Sequence, residues 1–281
     1  MSDIGAAQQN PEIGSSIETA GYRTNYHDVG TGNPLVLLHG SGAGVTAWAN
    51  WRGQIPVFGQ MFRVLAPDLI GFGYTSRPDG FEYRFMQTWI DQMQSFFDAQ
   101  KLDKVDIVGN SFGGSLALAI AVNAPDRVRR IVLMGSGGVS EKVTPELEQL
   151  WGYTPSVENM KGIMQIMAYN HELVTTELAE MRYRASIRPG IQETFERLFP
   201  PPRQRWLDAQ AQREDDLRAL PHQVLIVHGR EDRVVPLSGS HKLAQLIPNS
   251  QLHVFGKCGH WTMIEQRDRF NRLVIDFLTH E

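Results

Sequence analysis

Apolar residues along the chain fall into short runs that alternate with longer segments of helical spacing. The segments that we predict as strands are residues 35–38, 61–65, 105–108, 130–134, 224–227 and 251–255. The segments with helical character are residues 47–58, 85–100, the stretch after Gly114, 238–246 and 261–278. Because strands and helices alternate, the pattern predicts an α/β fold with a mostly parallel sheet flanked by helices.

Two stretches depart from this alternation. Residues 17–29 are strand-like, with one turn signal within them at 20–21 and another after them at 30–34, which predicts an opening hairpin. Residues 139–208 contain no strand-like run, and their apolar residues fall at helical spacings. We therefore expect a core formed by residues 1–138 and 209–281, with residues 139–208 inserted as a helical cap.

The stretch around Ser111 is a predicted strand, a sharp turn and a predicted helix. The turn reads Gly109-Asn110-Ser111-Phe112-Gly113, and its two glycines allow neighbouring backbone to approach the serine closely. This GxSxG pattern is typical of a nucleophile elbow, which presents a serine hydroxyl above a sheet. The alternative is a glycine-rich connection with an idle serine.

A serine nucleophile needs a base and an orienting acid. In a sheet of this kind both lie on loops at the carboxyl ends of later strands, in the order serine, acid, histidine. The histidines that come late enough are His241, His253, His260 and His280. His260 ends the loop after the last predicted strand, so we predict it as the base. Asp232, after the strand 224–227, is the predicted acid, with Glu231 as the alternative.

Acyl transfer also needs backbone N–H donors where the oxyanion develops. One predicted donor is the amide of Phe112, directly after the serine, and the other is that of Ser41 in the loop 39–42. This loop could alternatively be a phosphate cradle, but it lacks the lysine and the spacing of a P-loop.

Other polar residues at strand ends receive simpler interpretations. His39 and His228 each follow a predicted strand and precede a glycine, so we interpret them as loop anchors. Asp68 and Asp106 come before the serine, outside the required order, and surface or turn roles suit them better.

Composition and charge narrow the range of functions. The 281 residues include 27 Lys and Arg against 31 Asp and Glu, so the net charge of −4 gives no reason to expect a nucleic acid partner. The single cysteine, Cys258, excludes an intrachain disulfide and a cysteine metal cluster, and we expect no metal. The sequence shows neither a signal-peptide pattern nor a membrane-spanning apolar run, so we expect a cytoplasmic protein without membrane association.

Several blocks of the sequence together resemble one known family. These blocks are residues 39–42, 67–73, 109–114, 185–190, 228–232 and 258–261. In them the chain resembles the α/β-hydrolases known as meta-cleavage product hydrolases, which cleave carbon–carbon bonds in the bacterial degradation of aromatic compounds. The resemblance covers nearly the whole chain, and Asn110, Arg188 and Trp261 are its more specific signs. Ala43, where the family often has proline, is a departure that affects loop stiffness.

The resemblance implies a reaction. The family cleaves the C5–C6 bond of 2-hydroxy-6-oxohexa-2,4-dienoates to give 2-hydroxypenta-2,4-dienoate and a carboxylic acid. The dienol is first converted to its keto form, because only then does cleavage release a stabilised dienolate. Ser111 would attack the C6 ketone with help from His260 and Asp232, and water would clear the acyl-enzyme. No cofactor is implied, and we expect a homodimer or a higher homo-oligomer.

The resemblance also implies how an anionic dienoate would be bound. The residues that it assigns to the substrate are Gly42, Asn110, Arg188, Trp261, Trp151, Val234 and Val235. Arg188 would clamp the carboxylate and the 2-oxygen, helped by Asn110 and the indole N–H of Trp261. Trp151, Val234 and Val235 would line a narrow apolar pocket for the C6 substituent, which we expect to be hydrogen, methyl or a small branched alkyl group.

Other functions remain open at the level of the sequence. An ester or lactone hydrolase would use the same triad without ketonisation or a carboxylate clamp, so Arg188 discriminates against it. A ligand-binding protein on the same fold is disfavoured, because every triad and oxyanion position is filled. A haloperoxidase or dehalogenase is a further alternative, although a dehalogenase would need aspartate in place of Ser111.

Overall fold

An eight-stranded sheet organises the molecule. In the computed structural model, which describes residues 10–77 and 82–280, the strands follow the order β1-β2-β4-β3-β5-β6-β7-β8. Their bounds are β1 Ser15–Thr19, β2 Tyr22–Val29, β3 Pro34–Leu38, β4 Arg63–Pro67, β5 Val105–Asn110, β6 Val128–Met134, β7 Gln223–Gly229 and β8 Ser250–Phe255. In this order, each neighbouring pair within β4-β3-β5-β6-β7-β8 is parallel. Strands β1 and β2 form an antiparallel hairpin, and β2 pairs antiparallel with β4. The predicted hairpin and mostly parallel sheet are confirmed.

Helices connect the parallel strands. They are α1 Ala47–Trp51, α2 Ile55–Phe58, α3 Gln87–Ala99, α4 Phe112–Asn123, α5 Pro145–Trp151, α6 Val157–Met167, α7 Thr176–Ser186, α8 Ile191–Leu198, α9 Gln204–Asp208, α10 Glu214–Arg218, α11 Leu237–Leu246, α12 Thr262–Glu265 and α13 Arg267–Thr279, with 3-10 turns at Pro125–Arg127 and His171–Leu173. Among the residues described, no helix has the length and apolar character needed to cross a membrane.

Two predicted helices are each divided in the structure. Residues 47–58 form α1 and α2 instead of one helix, because Pro56 lies in the first turn of α2. Proline lacks the N–H and clashes with the carbonyl four residues earlier, so it begins a helix more readily than it continues one. The predicted helix 261–278 is interrupted at Gln266, whose φ of −121° and ψ of 33° lie outside the helical region.

Strand β3 is apolar along its whole length because both faces of the sheet are covered there. In β3, Leu35 and Leu37 join one core cluster with Phe58 and Phe270, whereas Val36 and Leu38 join another with Trp89. Successive side chains of a strand point to opposite faces, so a strand buried on both sides has no polar positions to alternate.

The segment between β6 and β7 is entirely helical and irregular, as predicted for residues 139–208. Helices α5 to α9 lie within that range, and we use the name cap for residues 139–208. The division of the chain into a core and a separate cap domain stays a prediction. The cap meets the carboxyl end of the sheet, where Trp151 of α5 contacts Ser41 in the loop after β3.

Candidate active site

Ser111 occupies a strained corner between β5 and α4. Its φ of 53° and ψ of −116° are unusual for a residue with a side chain. The corner is tight, since a Cβ on Gly109 would overlap the carbonyl oxygen of Gly113, and a Cβ on Gly113 would overlap that of Leu38. The backbone N–H of Ser111 is tied to the Met134 carbonyl at 2.9 Å. The geometry is that of a nucleophile elbow, which projects the hydroxyl above the strand ends.

The predicted base and acid are hydrogen-bonded to each other. Nδ1 of His260 lies 2.7 Å from Oδ2 of Asp232, and both side chains are buried. Burial alone would raise the pKa of Asp232, but the charge of His260 and its hydrogen bond outweigh it and lower that pKa below its usual range. Because an ionised carboxylate only accepts, Nδ1 carries the proton and Nε2 keeps its lone pair as a potential base.

The Asp232 carboxylate is held by its own loop. Its Oδ1 accepts the backbone N–H groups of Val234 at 2.8 Å and Val235 at 3.0 Å. The neighbouring Glu231 turns away and accepts the backbone N–H of Cys258 at 2.8 Å. Asp232, and not the alternative Glu231, is therefore the carboxylate that contacts His260.

The two other strand-end histidines have the contacts of loop anchors. His39 donates from Nδ1 to the Gly40 carbonyl at 2.8 Å and accepts the backbone N–H of Leu69 at 3.0 Å. His228 bonds Ser240 at 2.7 Å and the Val235 carbonyl at 3.0 Å. Burial lowers the pKa of His39 to about 4, so this imidazole is neutral at pH 7.

Asp68 is a buried turn residue, so a surface role for it is wrong. Its carboxylate accepts the backbone N–H groups of Ala47 at 2.6 Å and Tyr74 at 2.8 Å, and the side-chain amide of Asn25 at 2.8 Å. Burial raises its pKa to about 6 in spite of these bonds. Asp106 is also buried, on the sheet away from Ser111, and is paired with Arg129. Burial of these two carboxylates is tolerated because backbone and side-chain hydrogen-bond donors surround them.

The predicted oxyanion donors flank Ser111. Phe112 is the first residue of α4, and the first N–H groups of a helix have no acceptor within the helix. The hydroxyl of Ser41 accepts the indole N–H of Trp151 at 3.0 Å, which fixes the loop after β3 beneath the cap. Ser41, Ser111 and Phe112 line one small cavity together. Their roles as amide donors to an oxyanion stay predictions.

A large cavity of about 710 Å³ opens above the elbow. The predicted site residues that line it are Ser41, Gly42, Asn110, Ser111, Arg188, Val234, His260 and Trp261. Its far wall is formed by apolar cap residues, including Met160, Met164 and Met167. Methionine is flexible and polarisable, so this wall can adapt to apolar ligands of different shape.

Arg188 is held at the cavity wall with donors to spare. Its Nε donates to the Ala185 carbonyl at 3.1 Å and its Nη2 to the Gly73 carbonyl at 3.4 Å, while Cζ lies 3.9 Å from the ring centre of Tyr74. A guanidinium has five N–H groups. Among the described residues two are engaged in these bonds, which leaves the others available for an anion.

Sequence reasoning missed Asn50 of α1, which also lines the large cavity. Its Oδ1 accepts the backbone N–H of Gly40 at 3.3 Å, and within the described part of the chain its buried Nδ2 has no hydrogen-bond partner. A buried donor without a partner is costly, which suits a position that meets a polar ligand. The pattern of apolar and polar residues does not indicate a role for Asn50, because this residue faces the loop 39–42 only after folding.

The remaining predicted site residues surround a second, much smaller cavity. It measures about 20 Å³ and is lined by Ser111, Trp151, Val234 and Val235, among others. Trp151 does not line the large cavity; its ring stacks on Phe199 with centroids 4.5 Å apart and planes 7° apart. The small cavity lies on the β7 side of Ser111, beside the loop that carries Asp232. In the described ranges no group of three or more His, Cys, Asp or Glu residues could hold a metal ion.

Comparison with known proteins places this geometry in a family. A model of the alpha/beta hydrolase fold matches residues 33–266. A 2-hydroxy-6-oxo-2,4-heptadienoate hydrolase of Pseudomonas putida F1 is 56% identical over 97% of this chain and 98% of its own. A 2-hydroxymuconate semialdehyde hydrolase of Pseudomonas sp. CF600 is 53% identical, over 98% and 97% of the two chains.

A solved structure agrees with these relatives. A mutant of the meta-cleavage product hydrolase from Pseudomonas fluorescens IP01 superposes with a TM-score of 0.95 at 55% identity, covering 96% of this chain and 98% of that one. The fold is therefore that of an α/β hydrolase, with a serine at the elbow. The chain belongs to the α/β hydrolase fold family and, within it, to the meta-cleavage product hydrolases.

Proposed function

We propose that this protein is a serine-dependent hydrolase that cleaves the C5–C6 bond of 2-hydroxy-6-oxohexa-2,4-dienoates with hydrogen or a small alkyl group on C6. The observation that carries the proposal is the hydrogen bond of 2.7 Å between Asp232 and His260, of which His260 lines a cavity together with Ser111 and Arg188. The names of the relatives that are 53% and 56% identical support the same substrate class. The proposed products are 2-hydroxypenta-2,4-dienoate and a carboxylic acid.

The first task of the site is to bind the anion and ketonise it. Arg188 binds the carboxylate and the 2-oxygen, because a planar guanidinium can donate to two oxygens at once. Asn110, Trp261 and the free amide of Asn50 add donors at the same wall of the cavity. A proton moves from the 2-hydroxyl to C5, which converts the dienol to a ketone whose C5 can later leave with an electron pair.

The second task is acyl transfer. Ser111 Oγ attacks C6 and His260 Nε2 takes its proton, while Asp232 stabilises the imidazolium that forms. The backbone amides of Ser41 and Phe112 hold the oxyanion, for which each donor contributes roughly 3 kcal/mol in known enzymes. The C5–C6 bond then breaks, its electron pair is delocalised to the 2-oxygen as a dienolate, and His260 returns the proton. Water hydrolyses the acyl-enzyme, so no step requires a cofactor.

The size of the small cavity supports a small C6 substituent. A volume of about 20 Å³ is room for one or two water-sized groups. Hydrogen or methyl fits this space directly, and a branched alkyl group requires only a small displacement of Val234 or Val235. A phenyl ring would have to displace Trp151, which is held by Ser41 and by stacking on Phe199.

The second candidate function is hydrolysis of esters or lactones, which the same triad could perform. The feature that favours the dienoate is Arg188, a cation with unused donors in a cavity that otherwise has large apolar walls. A neutral ester has no group that would use this charge. A protein that only binds ligands would not need the aligned His260 and Asp232.

The discriminating experiment compares kcat/KM for coloured 6-methyl and 6-hydrogen dienoates with that for p-nitrophenyl acetate, followed spectrophotometrically. We expect the dienoates to be turned over faster by several orders of magnitude. The loss of dienoate absorbance should be matched by one equivalent each of pentadienoate and carboxylic acid. Rapid ester hydrolysis without dienoate cleavage would refute the proposal in favour of an esterase.

We further propose a cytoplasmic homodimer or higher homo-oligomer. The single buried cysteine, Cys258, supports a reducing compartment. Light scattering on purified protein should give at least twice the chain mass of 31.7 kDa. A monomer at micromolar concentration would contradict the proposed assembly and leave the proposed chemistry unaffected.

A further inference from the structure

The loop that carries His260 is fastened to the cap by main-chain hydrogen bonds. The backbone N–H of His260 donates to the Met167 carbonyl at 2.7 Å, and that of Trp261 donates to the same oxygen at 3.3 Å. Met167 ends α6 and lines the large cavity. A displacement of this end of α6 would therefore act directly on the backbone of His260.

Glu265 joins the same two segments through its side chain. One carboxylate oxygen accepts the backbone N–H of Gly259 at 2.7 Å, and the other accepts that of Asn170 at 2.8 Å. Gly259 directly precedes His260, and Asn170 lies in the cap three residues after the end of α6. One side chain of α12 thus bridges the loop of the base and the cap.

The two segments are also packed without intervening space. A Cβ on Gly259 would lie 2.6 Å from the Met167 carbonyl oxygen and 2.8 Å from the Tyr169 nitrogen, both closer than real Cβ contacts. The backbone at Gly259 is therefore in direct contact with the backbone of the cap segment at this point. Segments packed in this way move together, since close-packed interiors transmit displacement.

Glu265 accepts hydrogen bonds at both carboxylate oxygens at a site where burial opposes its charge. Burial raises the pKa of Glu265 above its usual range, although N–H groups of Asn170, Gly259 and Tyr169 act in the opposite direction. A partly buried carboxylate is unfavourable unless donors surround it. The carboxylate bridges the two backbones by accepting a hydrogen bond from each. An apolar side chain of the same size could not do this.

We propose that Glu265 is a positioning residue, which couples the placement of the base His260 to the cap segment 167–170. The proposal rests on the role of His260 in the proposed function, but does not depend on which substrate is cleaved. When a ligand presses on the wall that contains Met167, the displacement reaches His260 through this bridge. Glu265 itself touches no substrate.

The test is Glu265→Gln, which preserves size and packing but offers only one acceptor oxygen. Its amide NH₂ must face one of the two backbone N–H donors, so one bond is lost. We expect kcat to fall between about tenfold and a hundredfold, as a small misplacement of a catalytic group can cause, with KM changed less than about twofold. The decrease should be the same for p-nitrophenyl acetate as for the dienoate, because both use His260.

The matched control is Glu172→Gln, which removes the same charge from an exposed residue of the same cap stretch. It should leave kcat unchanged. A second variant, Asn170→Pro, removes the backbone N–H that the cap donates to Glu265, together with the bond that the Asn170 side chain accepts from the Glu172 N–H, and the φ of −84° at this position is close to that of proline. It should reduce kcat in the same direction as Glu265→Gln while leaving the bond from Gly259 in place.

A spectroscopic measurement tests the proposal without any substrate. The proton on Nδ1 of His260, hydrogen-bonded to Asp232, should give a low-field NMR signal that shifts or broadens in Glu265→Gln and not in Glu172→Gln. If folded Glu265→Gln keeps the wild-type signal and wild-type kcat, the bridge does not position the base. A lower melting temperature with unchanged kcat and signal would likewise assign Glu265 a purely structural role and overturn the proposal.

Discussion

At the scale of single residues, the proposed chemistry depends on which ring nitrogen of His260 carries its proton. Asp232 is ionised and accepts from His260 Nδ1, and in the proposed mechanism the lone pair on Nε2 takes the proton of the Ser111 hydroxyl. Burial of the pair makes this arrangement sensitive to the loss of any member, because the remaining groups lose their partner in a site shielded from water.

Ser111→Ala should therefore fold normally and lose dienoate turnover by several orders of magnitude, as expected when one member of a cooperating triad is removed. His260→Ala should behave in the same way, and stopped-flow spectra should show whether ketonisation of bound dienoate is slowed as well. The control is Ser136→Ala, a buried serine at the end of neighbouring β6 whose hydroxyl bonds the Gly137 carbonyl. Near-wild-type turnover by Ser111→Ala would end the proposed mechanism.

Arg188→Gln should raise KM and lower kcat/KM for the dienoate far more than for a neutral ester, because only the dienoate presents a carboxylate to the guanidinium. Loss of a hydrogen bond to a charged group corresponds to about 1.5–3 kcal/mol, or roughly 10-fold to 100-fold in kcat/KM. Arg205→Gln is the matched control, since Arg205 also lies over an aromatic ring, Trp206, in the cap but does not line the large cavity. Equal losses on both substrates would remove Arg188 from substrate recognition.

At the scale of elements, the strand-to-helix corner between β5 and α4 requires glycine at the two positions where neighbouring backbones come closest. Gly109 has no space for a methyl group against the backbone of Gly113, and Gly113 has none against the end of β3. The positive φ of 53° at Ser111 is maintained by this packing and by the bond from its N–H to Met134.

Gly113→Ala should consequently destabilise the protein by about 2–4 kcal/mol or prevent folding, because a Cβ there would overlap the backbone of β3. Gly162→Ala is the contrasting variant, since its Cβ would meet only the Gln149 side chain at 3.9 Å in the interior of α6. That substitution should be neutral or stabilise by up to about 1 kcal/mol. Urea unfolding of both variants measures the difference in their free energies of unfolding. A Gly113→Ala variant as stable as the wild type would mean that the corner relaxes to accept a methyl group.

In the proposed function, Trp151 at the end of α5 limits the space for the C6 substituent. Trp151→Ala should raise kcat/KM for a 6-phenyl dienoate relative to the 6-methyl compound by at least about tenfold, because the indole occupies the space that a ring would need. It should also lower stability by about 3–5 kcal/mol through the cavity that it leaves. Wild-type protein that prefers 6-phenyl over 6-methyl and 6-isopropyl dienoates would refute the assignment of this pocket.

At the scale of the whole molecule, buried neutral groups make stability depend on pH. His39 joins the loop after β3 to the loop after β4, and its pKa is lowered by burial from 6.5 to about 4. The unfolded chain therefore takes up this proton at a higher pH than the folded protein. The contribution of His39 is complete above pH 6.5 and is lost as the pH falls towards 4.

The free energy of unfolding of the wild type should consequently fall between pH 6.5 and pH 4 by on the order of 3 kcal/mol more than that of His39→Gln. Glutamine can make both hydrogen bonds without binding a proton. Asp68, whose pKa is raised to about 6, contributes the opposite slope in both proteins and cancels in the difference. Urea titrations at several pH values provide the measurement, and parallel curves for the two proteins would contradict it.

The sequence by itself predicted the sheet, the opening hairpin and the elbow. Strands buried on both faces must be continuously apolar, so β3, β5, β6 and β7 were visible as runs of Val, Leu and Ile. The elbow needs glycines two residues on either side of its serine, which is a contiguous pattern. The order of serine, acid and histidine follows from strand order, and it led to the predictions of His260 and of the loop that holds Asp232, two residues that the structure brings into hydrogen-bond contact.

Only the tertiary structure decided which side chains face each other. Glu231 and Asp232 are adjacent in sequence, and the turn between β7 and α11 determines that Asp232 meets His260 while Glu231 meets Cys258. The contact of Trp151 with Ser41 joins positions 110 residues apart, and the bridge from Glu265 to Asn170 spans 95. The direction of a side chain depends on the packing of segments that are distant in sequence, and no local pattern of apolar and polar residues contains that information.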